Sequence, residues 1–445
     1  MRVTFVAAES VPFAKVGGLG DVVGALPEEL ARLGFEVTTI LPWYPGIPVH
    51  TESESSFRFA GAEEHLRVGE IEQRGVRILF LGLPDFLRDG IYGYPDDVQR
   101  FVRFSLAAAA LIETDVAHVH DWHSALLPAL SHAGRLRARA TVLTVHNIAH
   151  QGSWDPGELL HWTGLPGSFV HPDRMEYYGS VNLMKAGLTF ADAITTVSAT
   201  YGREIQTPEF GMGLDGIVRR QSKKLLGIPN GIDVTYWNPA TDPHLEARYD
   251  RSNMGGKTLC QEALARDLGL APPILGVVSR LVHQKGLDIV RDGLPALLDM
   301  GYSLAVLGAG DPGREHAWAE AARGNPGRVH YTRGRNEPLA HRIFAGSAGL
   351  LIPSRFEPCG LTQLIGLRYG TPPLAHAVGG LVDTIDDGRT GILFRPHTSE
   401  ALLEGARRLR HSESRDVMIE LGMDRDVSWK RSAAEYGRLY RQLLE

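Results

Sequence analysis

The sequence MRVTFVAAESVPFAKVGGLGD, residues 1–21, contains the pattern that decides the fold. Its apolar run Val3–Ala8 is typical of a buried strand, the loop that follows is rich in glycine, and we expect a helix from about Asp21. The stretch ILGVVSRLVHQKGLD, residues 274–288, repeats the order of strand, lysine-and-glycine loop and helix, with the helix starting at about Asp288. Two halves of the chain therefore open in the same way.

Short apolar runs alternate with helical stretches along the whole chain. The predicted strands are Val3–Ala8, Glu36–Leu41, Val76–Leu81, Val116–His120, Thr141–His146, Ala193–Val197, Ile274–Val278, Leu304–Leu307, Gly349–Ile352 and Thr371–Ala375. Strands that are apolar nearly throughout are typical of a sheet covered on both faces. Alternation of strands with helices favours parallel pairing through right-handed crossovers. The sequence therefore predicts the α/β class with doubly wound sheets.

The length of 445 residues corresponds to two or three domains. The turn Ile228–Asp233, which contains proline and glycine, precedes a polar stretch and is the predicted boundary. In the segment Trp429–Leu444, apolar side chains recur at helical spacing. This pattern predicts a terminal helix that covers an apolar surface.

Composition excludes several classes of function. The net charge of −6 leaves no basic excess for a nucleic-acid backbone. The two cysteines, Cys260 and Cys359, offer neither a disulfide framework nor a metal-binding CxxC. The first apolar run is too short for a signal peptide, and the longest one, Leu106–Ile112, is far shorter than a membrane span. We therefore expect a soluble, cytoplasmic protein with no nucleic-acid or membrane partner.

Three loops combine glycines with cationic side chains or a helix start, as an anion site requires. They are the loop of Lys15, Gly17 and Gly18, the loop of Arg280, Lys285 and Gly286, and the segment Ser354–Thr362. In this last segment we expect a helix to begin at Pro358. We also expect Gly360, Leu361 and Thr362 to offer backbone N–H groups. A single loop of this kind carries little information. Because all three follow strands of two similar halves, we expect them to converge on a cleft and to hold a diphosphate between two domains.

A second interpretation is a dinucleotide-binding oxidoreductase, since Gly308–Gly313 satisfies GxGxxG after a predicted strand. Arg333 and Arg335 could then hold an NADP phosphate. However, Pro312 lies inside this loop, and the next strand, near Val329–Tyr331, does not end in an acidic residue that would bind a ribose. The sequence disfavours this interpretation.

A third interpretation is a metal hydrolase, since His118, His120, Asp121 and His123 form a dense cluster. Strand alternation sends His118 and His120 to one face, and further ligands would have to come from elsewhere in the chain. The only D-x-D motif, Asp424–Asp426, lies beside the terminal helix and outside any loop at a strand end. We therefore predict no metal site.

Seven motifs then become recognisable: ESVPFAKVGGL (9–19), HDWH (120–123), HNIAHQG (146–152), NGID (230–233), SRL…QKGLD (279–288), PSRFEPCGLTQ (353–363) and GGLVDT (379–384). In this order they resemble bacterial glycogen synthases and plant starch synthases, a family of retaining glucosyltransferases. The resemblance implies the GT-B fold, with two Rossmann-like domains that face each other across a cleft. It implies an N-terminal domain at residues 1–230, a nucleotide-sugar-binding domain at 231–422 and a terminal helix at 423–445 that crosses back.

The resemblance also implies an activity, the transfer of glucose from ADP-glucose to the non-reducing end of an α-1,4-glucan such as glycogen, without metal or other cofactor. The implied catalytic residues are Glu357 beside the donor sugar, Arg280 and Lys285 on the diphosphate, His146 in the sugar pocket and Asp121 near the reacting centre. The implied substrate-binding residues are Lys15, Gly17, Gly18, Asn230, Gly360, Leu361, Thr362 and Arg335. Retention by double displacement stays open beside front-side attack.

Some alternatives stay open at this stage. Asp121 and His123 could only cap the helix after their strand, and Asn230 could serve only the boundary turn. Arg335 replaces a tyrosine that the family is expected to place against the nucleotide base, so a GT-B enzyme for another donor such as UDP-glucose is the main alternative. Ile365 stands where many related GT-B enzymes carry a second glutamate, which favours the starch-synthase pattern. A catalytically weak glucan-binding relative is the remaining alternative.

Overall fold

The computed structural model describes residues 1–410 and 415–445. These residues form two compact units. The N-terminal unit contains Met1–Asn230 together with Trp429–Glu445, and the C-terminal unit contains Gly231–Ser428. Within the described residues, no helix has the length and apolar character needed to cross a membrane.

The N-terminal unit is an α/β structure built on one large sheet and one small sheet. Its strands are β1 (Arg2–Val6), β2 (Glu36–Pro42), β3 (Thr51–Phe59), β4 (Ala62–Gln73), β5 (Val76–Gly82), β6 (Glu113–His120), β7 (Arg137–Val145), β8 (Ser153–Trp154), β9 (Glu176–Tyr177), β10 (Ser180–Asn182), β11 (Ala193–Thr196) and β12 (Leu225–Gly227). Its first helices are α1 (Gly18–Arg32), α2 (Asp97–Leu111), α3 (Asp121–Ser124), α4 (Leu126–His132), α5 (Pro156–Thr163), α6 (Leu183–Phe190), α7 (Ala199–Glu204) and α8 (Asp215–Arg220), with 3-10 turns at Pro84–Phe86, Gly167–Phe169 and Ser222–Lys224.

The large sheet has the order β12-β11-β7-β6-β1-β2-β5-β4-β3. Strands β12 to β5 of this order pair in parallel, as predicted, but β4 pairs antiparallel with both β5 and β3. The prediction of parallel pairing is therefore wrong at this edge. Residues Thr51–Gln73 form a hairpin through a tight turn at Ala60 and Gly61, both with positive φ, so no crossover helix is needed.

The strands of the C-terminal unit are β13 (Ile274–Val278), β14 (Ser303–Gly308), β15 (Val329–Arg333), β16 (Gly349–Ile352), β17 (Pro373–His376) and β18 (Ile392–Phe394). They form one six-stranded sheet that is parallel throughout, in the order β15-β14-β13-β16-β17-β18. The helices of this unit are α9 (Gly255–Leu268), α10 (Asp288–Asp292), α11 (Leu294–Asp299), α12 (Pro312–Gly324), α13 (Glu337–Gly346), α14 (Thr362–Arg368), α15 (Gly379–Thr384), α16 (Ser399–Arg410) and α17 (Arg415–Asp424), with a 3-10 turn at His283–Lys285.

All ten predicted strands have counterparts in these two large sheets, which confirms the α/β class. Two helix starts differ from the predictions. Helix α1 begins at Gly18 rather than at Asp21, because Gly17 is the extended residue that precedes the helix. Helix α14 begins at Thr362 rather than at Pro358, because Pro358–Leu361 form a loop that the amide of Gln363 holds by donating to the carbonyls of Cys359 and Gly360.

The terminal segment is helical, and α18 (Lys430–Gln442) packs on the core of the N-terminal unit. Trp429, Ala433, Tyr436 and Tyr440 are buried there, which confirms the predicted role of this segment. Its predicted start at residue 423 is wrong, since residues 423 and 424 end α17 in the C-terminal unit.

Candidate active site

The glycine loop after β1 is organised by a carboxylate within the protein. Glu9 is buried, and its Oε2 accepts the N–H groups of Val16 at 2.5 Å and of Gly17 at 2.9 Å. Gly17 is part of a loop that was predicted to bind an anion, but its N–H group is paired with Glu9. Gly18 opens α1, and the Lys15 Nζ donates to Asp21 at 2.6 Å in a partly exposed pair. The negative charge of Glu9 at a helix N-terminus is electrostatically favourable.

The role of Glu9 was missed at the level of sequence. The signal that could have found it is an acidic residue directly after a buried strand and before a glycine loop. Its other oxygen, Oε1, accepts a hydrogen bond from the hydroxyl of Tyr92 at 2.6 Å. Because Tyr92 is 83 residues further along the chain, sequence spacing alone does not reveal this contact.

Asp121 joins the carboxyl ends of two adjacent strands, β6 and β7. Its backbone is left-handed, with a φ of 53°, and its Oδ1 accepts the N–H groups of His146 at 2.7 Å and Asn147 at 3.3 Å. The alternative that it only caps the next helix is wrong, since its carboxylate contacts the neighbouring strand. Burial raises the pKa of Asp121 to about 7, although the two N–H groups act in the opposite direction.

His146 is held in place by a hydrogen bond with a second histidine, His120. His120 Nδ1 lies 2.9 Å from His146 Nε2, while His120 Nε2 is buried and has no hydrogen-bond partner among the described residues. Because an unpaired buried N–H is rarer in proteins than an unpaired acceptor, the proton of His120 is assigned to Nδ1, which donates to His146. Burial lowers the pKa of His146 to about 3, so this ring is neutral and carries its own proton on Nδ1.

The other members of the histidine cluster are engaged within the fold. Tyr440 of α18 lies 2.8 Å from His118 Nδ1, and Thr144 lies 2.6 Å from His118 Nε2. The ring of His123 packs on Tyr92, with ring centroids 4.8 Å apart, so packing, rather than helix capping, accounts for its position. Among residues 1–410 and 415–445, no group of three or more histidine, cysteine or acidic side chains is arranged to hold a metal ion.

In the C-terminal unit, the structure brings Lys285, Glu357 and Ser354 together. Glu357 is buried, and its Oε2 receives hydrogen bonds from Lys285 Nζ at 2.5 Å and from Ser354 Oγ at 2.7 Å. Ser354 is a further residue that the sequence analysis did not assign to the carboxylate, although its position three residues before Glu357 is a signal. The pair of Lys285 and Glu357 places a cation and a carboxylate in the loops that follow the adjacent strands β13 and β16.

Close backbone contact locks these two loops together. Gly286 has a φ of 61°, and a Cβ atom there would lie 2.0 Å from the carbonyl oxygen of Pro353. Gln284 connects the same loops, since its carbonyl accepts from Arg355 N at 2.9 Å and its amide donates to Phe356 O at 3.2 Å.

Arg280 lies exposed on the loop that carries Lys285, where its guanidinium makes a long contact of 3.4 Å with the Gln284 side chain. Its guanidinium therefore stays accessible to solvent.

The GxGxxG motif serves packing. A Cβ atom at Gly308 would lie 1.9 Å from Ser279 O, and one at Gly310 would lie 2.6 Å from Leu281 O. These glycines let their loop pack directly on the loop that carries Arg280. The Asp311 side chain accepts N–H groups of the first turn of α12, at 2.9 and 3.2 Å. A carboxylate thus occupies the helix terminus at which a dinucleotide phosphate would bind, which argues against the oxidoreductase interpretation.

The remaining predicted residues lie in loops or at the start of a helix. Gly360, with a φ of 75°, and Leu361 precede the first turn of α14, which starts at Thr362. Arg335 is exposed in the loop between β15 and α13. Asn230 is the last residue before the division between the units, and its Oδ1 is buried without a hydrogen-bond partner in the described part of the chain.

Comparison with known proteins agrees with this architecture. Residues 2–220 match the family model described as starch synthase catalytic domain, and residues 272–412 match the model described as glycosyl transferases group 1. The glycogen synthase of Thermus thermophilus is 48% identical over 445 residues, and that of Deinococcus radiodurans is 44% identical over 460 residues, with 100% of both chains covered in each case.

Solved structures show the same relationship. The catalytic domain of starch synthase IV from Arabidopsis thaliana, bound to ADP and acarbose, has a TM-score of 0.90 at 34% identity, with 99% of each chain covered. The sucrose-phosphate synthase of Thermosynechococcus elongatus has a TM-score of 0.68 at 20% identity, with 99% of this chain and 98% of that chain covered, and shares the fold.

The two α/β units with charged loops at their strand ends define a glycosyltransferase of the GT-B fold. Within that class, the chain belongs to the family of bacterial glycogen synthases and plant starch synthases.

Proposed function

We propose that the protein transfers glucose from ADP-glucose to the non-reducing end of an α-1,4-glucan such as glycogen, with retention of configuration. The observation that carries the proposal is the buried Glu357 that binds Lys285 and Ser354 beside the loop of Arg280. Relatives named as glycogen synthases over the full length, and the starch synthase structure bound to ADP and acarbose, support the choice of substrates.

Arg280 and Lys285 neutralise the leaving ADP in this proposal. When the bond from glucose C1 to the phosphate oxygen breaks, negative charge grows on the diphosphate, and fixed cations stabilise that transition state more than the ground state. Lys285 is held by Glu357 in this structure, so its ammonium is already positioned. Arg280 is exposed and supplies a second charge.

Glu357 acts as a positioning and stabilising group rather than as a nucleophile. Its Oε2 already receives two hydrogen bonds, one of them from a cation, which reduces the nucleophilic character of that oxygen. We therefore favour front-side attack. The acceptor hydroxyl forms its bond to C1 on the face from which ADP departs, and its proton passes to the leaving phosphate oxygen.

The N-terminal unit contributes the sugar-binding groups. His146 is neutral and offers its Nδ1–H as a hydrogen-bond donor to a sugar hydroxyl. Asp121 is a buried carboxyl close to it, and its charged form favours the positive character that develops on the glucose ring. Asn230 adds a buried oxygen that lacks a partner among the described residues, as expected of a group that binds a hydroxyl of the substrate.

We propose that the reaction needs no metal ion, since Arg280, Lys285 and the N–H groups before α14 supply positive potential for the diphosphate. A dialysed sample with excess EDTA is expected to retain the activity of the untreated sample. Loss of activity on addition of EDTA, followed by recovery with Mg²⁺ or Mn²⁺, would contradict this proposal.

The experiment that tests the function is incubation with ADP-glucose, UDP-glucose and glycogen, separately and together, with measurement of released nucleotide and of labelled glucan. We expect glucan labelling from ADP-glucose only when glycogen is present. UDP-glucose is the second candidate donor, because the family resemblance places Arg335, in the loop after β15, where an aromatic residue is expected against the nucleotide base. Faster labelling from UDP-glucose would establish that alternative, and labelling from neither donor would contradict the proposed transfer.

A further inference from the structure

Two histidines of the C-terminal unit contact the backbone just before Glu357. His376 is the last residue of β17 and is buried, and its Nδ1 lies 2.8 Å from the carbonyl oxygen of Ser354. His397 lies between β18 and α16, and its Nε2 is 2.7 Å from the carbonyl oxygen of Pro353. Both histidines therefore contact the segment that leads from β16 to Glu357.

The contacts determine which nitrogen of each ring carries a proton. A carbonyl oxygen only accepts hydrogen bonds, so Nδ1 of His376 and Nε2 of His397 are assigned as donors. Burial lowers the pKa of His376, and the nearby charges of Arg395 and Arg355 act in the same direction, whereas the hydrogen bond to Ser354 opposes them. His376 is therefore a neutral donor to a main-chain oxygen at neutral pH.

The two carbonyl groups that the histidines bind flank a single Cα atom. The carbonyl of Pro353 belongs to the peptide group before the Cα of Ser354, and the carbonyl of Ser354 belongs to the peptide group after it. Peptide groups are planar, so fixing both of them fixes the backbone dihedral angles of Ser354. Because the side-chain rotamer depends on those angles, the direction of the Ser354 hydroxyl is fixed as well.

The hydroxyl of Ser354 connects this segment to the charged pair. Its Oγ donates to Oε2 of Glu357 at 2.7 Å, and the same oxygen binds Lys285 Nζ at 2.5 Å. Ser354 and Glu357 are both buried. A hydrogen-bonded path thus runs from His376 through Ser354 to the carboxylate that holds the ammonium of Lys285.

The loop of Lys285 rests on the same point of the backbone. A Cβ atom at Gly286 would lie 2.0 Å from the carbonyl oxygen of Pro353 and 2.5 Å from His397 Nε2. The ring of His397 also contacts the ring of His376, with centroids 4.9 Å apart. Close packing of this kind transmits displacements, so His397 supports both the His376 ring and the loop of Lys285.

A neutral donor suits the position of His376 better than a cationic one. Glu357 already takes its positive partner from Lys285. An arginine or a lysine in place of His376 would bring a second full charge near the carboxylate and would compete with Lys285 for it. An imidazole holds the carbonyl oxygen without this competition.

We propose that His376 is a positioning residue, which acts through Ser354 to hold the carboxylate of Glu357 and the ammonium of Lys285 in the geometry that the reaction requires. The inference rests on the proposed function, in which this pair acts on the donor sugar and the leaving diphosphate. Groups that stabilise a transition state depend on fixed geometry, so a small displacement of the pair has a large effect on the rate.

The test is a double-mutant cycle between His376 and Ser354. His376→Leu removes the donor and is made in the wild type and in Ser354→Ala, which lacks the hydroxyl. His376→Asn is the conservative variant, because its amide nitrogen takes the place of Nδ1, and His376→Gln, whose amide nitrogen takes the place of Nε2, replaces His376→Leu if that variant does not fold. His330→Leu is the matched control, since His330 is a half-buried histidine of the same sheet whose ring contacts a threonine of its own strand.

We expect His376→Leu to lower kcat by roughly tenfold to a hundredfold in the wild type, but by less than about threefold in Ser354→Ala, because the effect passes through the hydroxyl. The KM for glycogen should stay at the wild-type value, since the pair acts on the donor. His376→Asn should keep most of the wild-type kcat, and His330→Leu should behave like the wild type. Steady-state kinetics with ADP-glucose and glycogen measures these values.

A residue that only stabilises the fold would lower kcat by the same factor in both backgrounds, and that result overturns the inference. An unchanged kcat in His376→Leu overturns it too, as does a His376→Asn variant that is no more active than His376→Leu. Absence of glucan labelling by the wild type contradicts only the proposed function. The same cycle is then measured through the Kd for ADP by calorimetry, where a loss of affinity that disappears in Ser354→Ala supports the inference and any other outcome overturns it.

Discussion

At the scale of single residues, the two cations of the C-terminal unit differ in their surroundings. Lys285 has 19% of its side chain exposed and is paired with Glu357, which is 8% exposed, whereas Arg280 extends into solvent. Removing one partner of a largely buried pair leaves the other charge uncompensated and destabilises the fold. Removing an exposed charge does not have this effect.

We therefore expect Arg280→Ala and Lys285→Ala to lower kcat by roughly two to three orders of magnitude, because each removes a charge from the leaving group. Only Lys285→Ala should also lower the Tm, since it leaves Glu357 without its cation. Steady-state kinetics and thermal unfolding of both variants check this expectation. Near wild-type turnover in both variants would remove these residues from the catalytic assignment.

Asp121 leads to a prediction about how the stability of the fold depends on pH. Its pKa is raised by burial from the ordinary value to about 7. A carboxyl with a raised pKa in the folded state stabilises the fold at low pH, and this contribution is lost as the pH rises from about 4 to about 7. The substitution Asp121→Asn keeps a side-chain oxygen that accepts the N–H groups of His146 and Asn147, but the amide does not titrate.

The free energy of unfolding of Asp121→Asn, relative to the wild type, should therefore increase between pH 4 and pH 7. The increase should be on the order of 4 kcal/mol, since one pKa unit corresponds to about 1.4 kcal/mol. Urea unfolding at several pH values measures it. A constant difference between the two proteins over this range would show that the carboxyl of Asp121 does not titrate there.

At the scale of elements, the site depends on loops that approach each other more closely than a side chain permits. Gly286 and Gly269 have nearly the same left-handed backbone, with φ values of 61° and 63°. A Cβ atom at Gly286 would meet the carbonyl oxygen of Pro353, whereas one at Gly269 would meet no atom within 4 Å. The two positions therefore separate backbone strain from steric conflict.

Gly269→Ala should lose about 1–2 kcal/mol of stability, the cost of the left-handed conformation for a residue with a Cβ atom. Gly286→Ala should lose more and should also lower kcat, because the conflict displaces the loop that holds Lys285. Urea unfolding and turnover of both variants measure these effects. Equal losses of stability with unchanged turnover would mean that the loop adjusts without cost to the site.

The same elements show what sequence can and cannot predict. The apolar runs identify ten of the eleven interior strands that the described residues form in the two large sheets, because a sheet covered on both faces requires them. The hairpin of β3 and β4 was missed since its strands are largely polar and one of them lies at a sheet edge. The candidate charges Arg280, Lys285 and Glu357 were found from motifs, but the contacts of Glu9 with Tyr92 and of His118 with Tyr440 join residues far apart in the chain.

At the scale of the whole molecule, the last segment of the chain belongs to the N-terminal unit. Trp429–Glu445 follows the complete C-terminal unit but contributes buried side chains to the core around β1 and α1. Phe35, directly before β2, packs edge to face on Tyr440 with centroids 5.9 Å apart. The hydroxyl of Tyr440 also lies 2.8 Å from Nδ1 of His118, whose ring packs on His120, the hydrogen-bond partner of His146.

This arrangement predicts that the two units differ in their ability to fold alone. The fragment Gly231–Ser428 contains all elements of its own sheet and core, so we expect it to unfold cooperatively in a thermal scan. The fragment 1–230 lacks Trp429, Tyr436 and Tyr440 over its core, so we expect it to aggregate or to be digested rapidly by protease. Adding a peptide of residues 429–445 should restore protection, because that helix covers the exposed apolar surface, and a peptide with Trp429 and Tyr436 both changed to Ala serves as the control. Protease resistance of fragment 1–230 without the peptide that equals the resistance of the intact protein would show that the terminal helix is dispensable for the N-terminal unit.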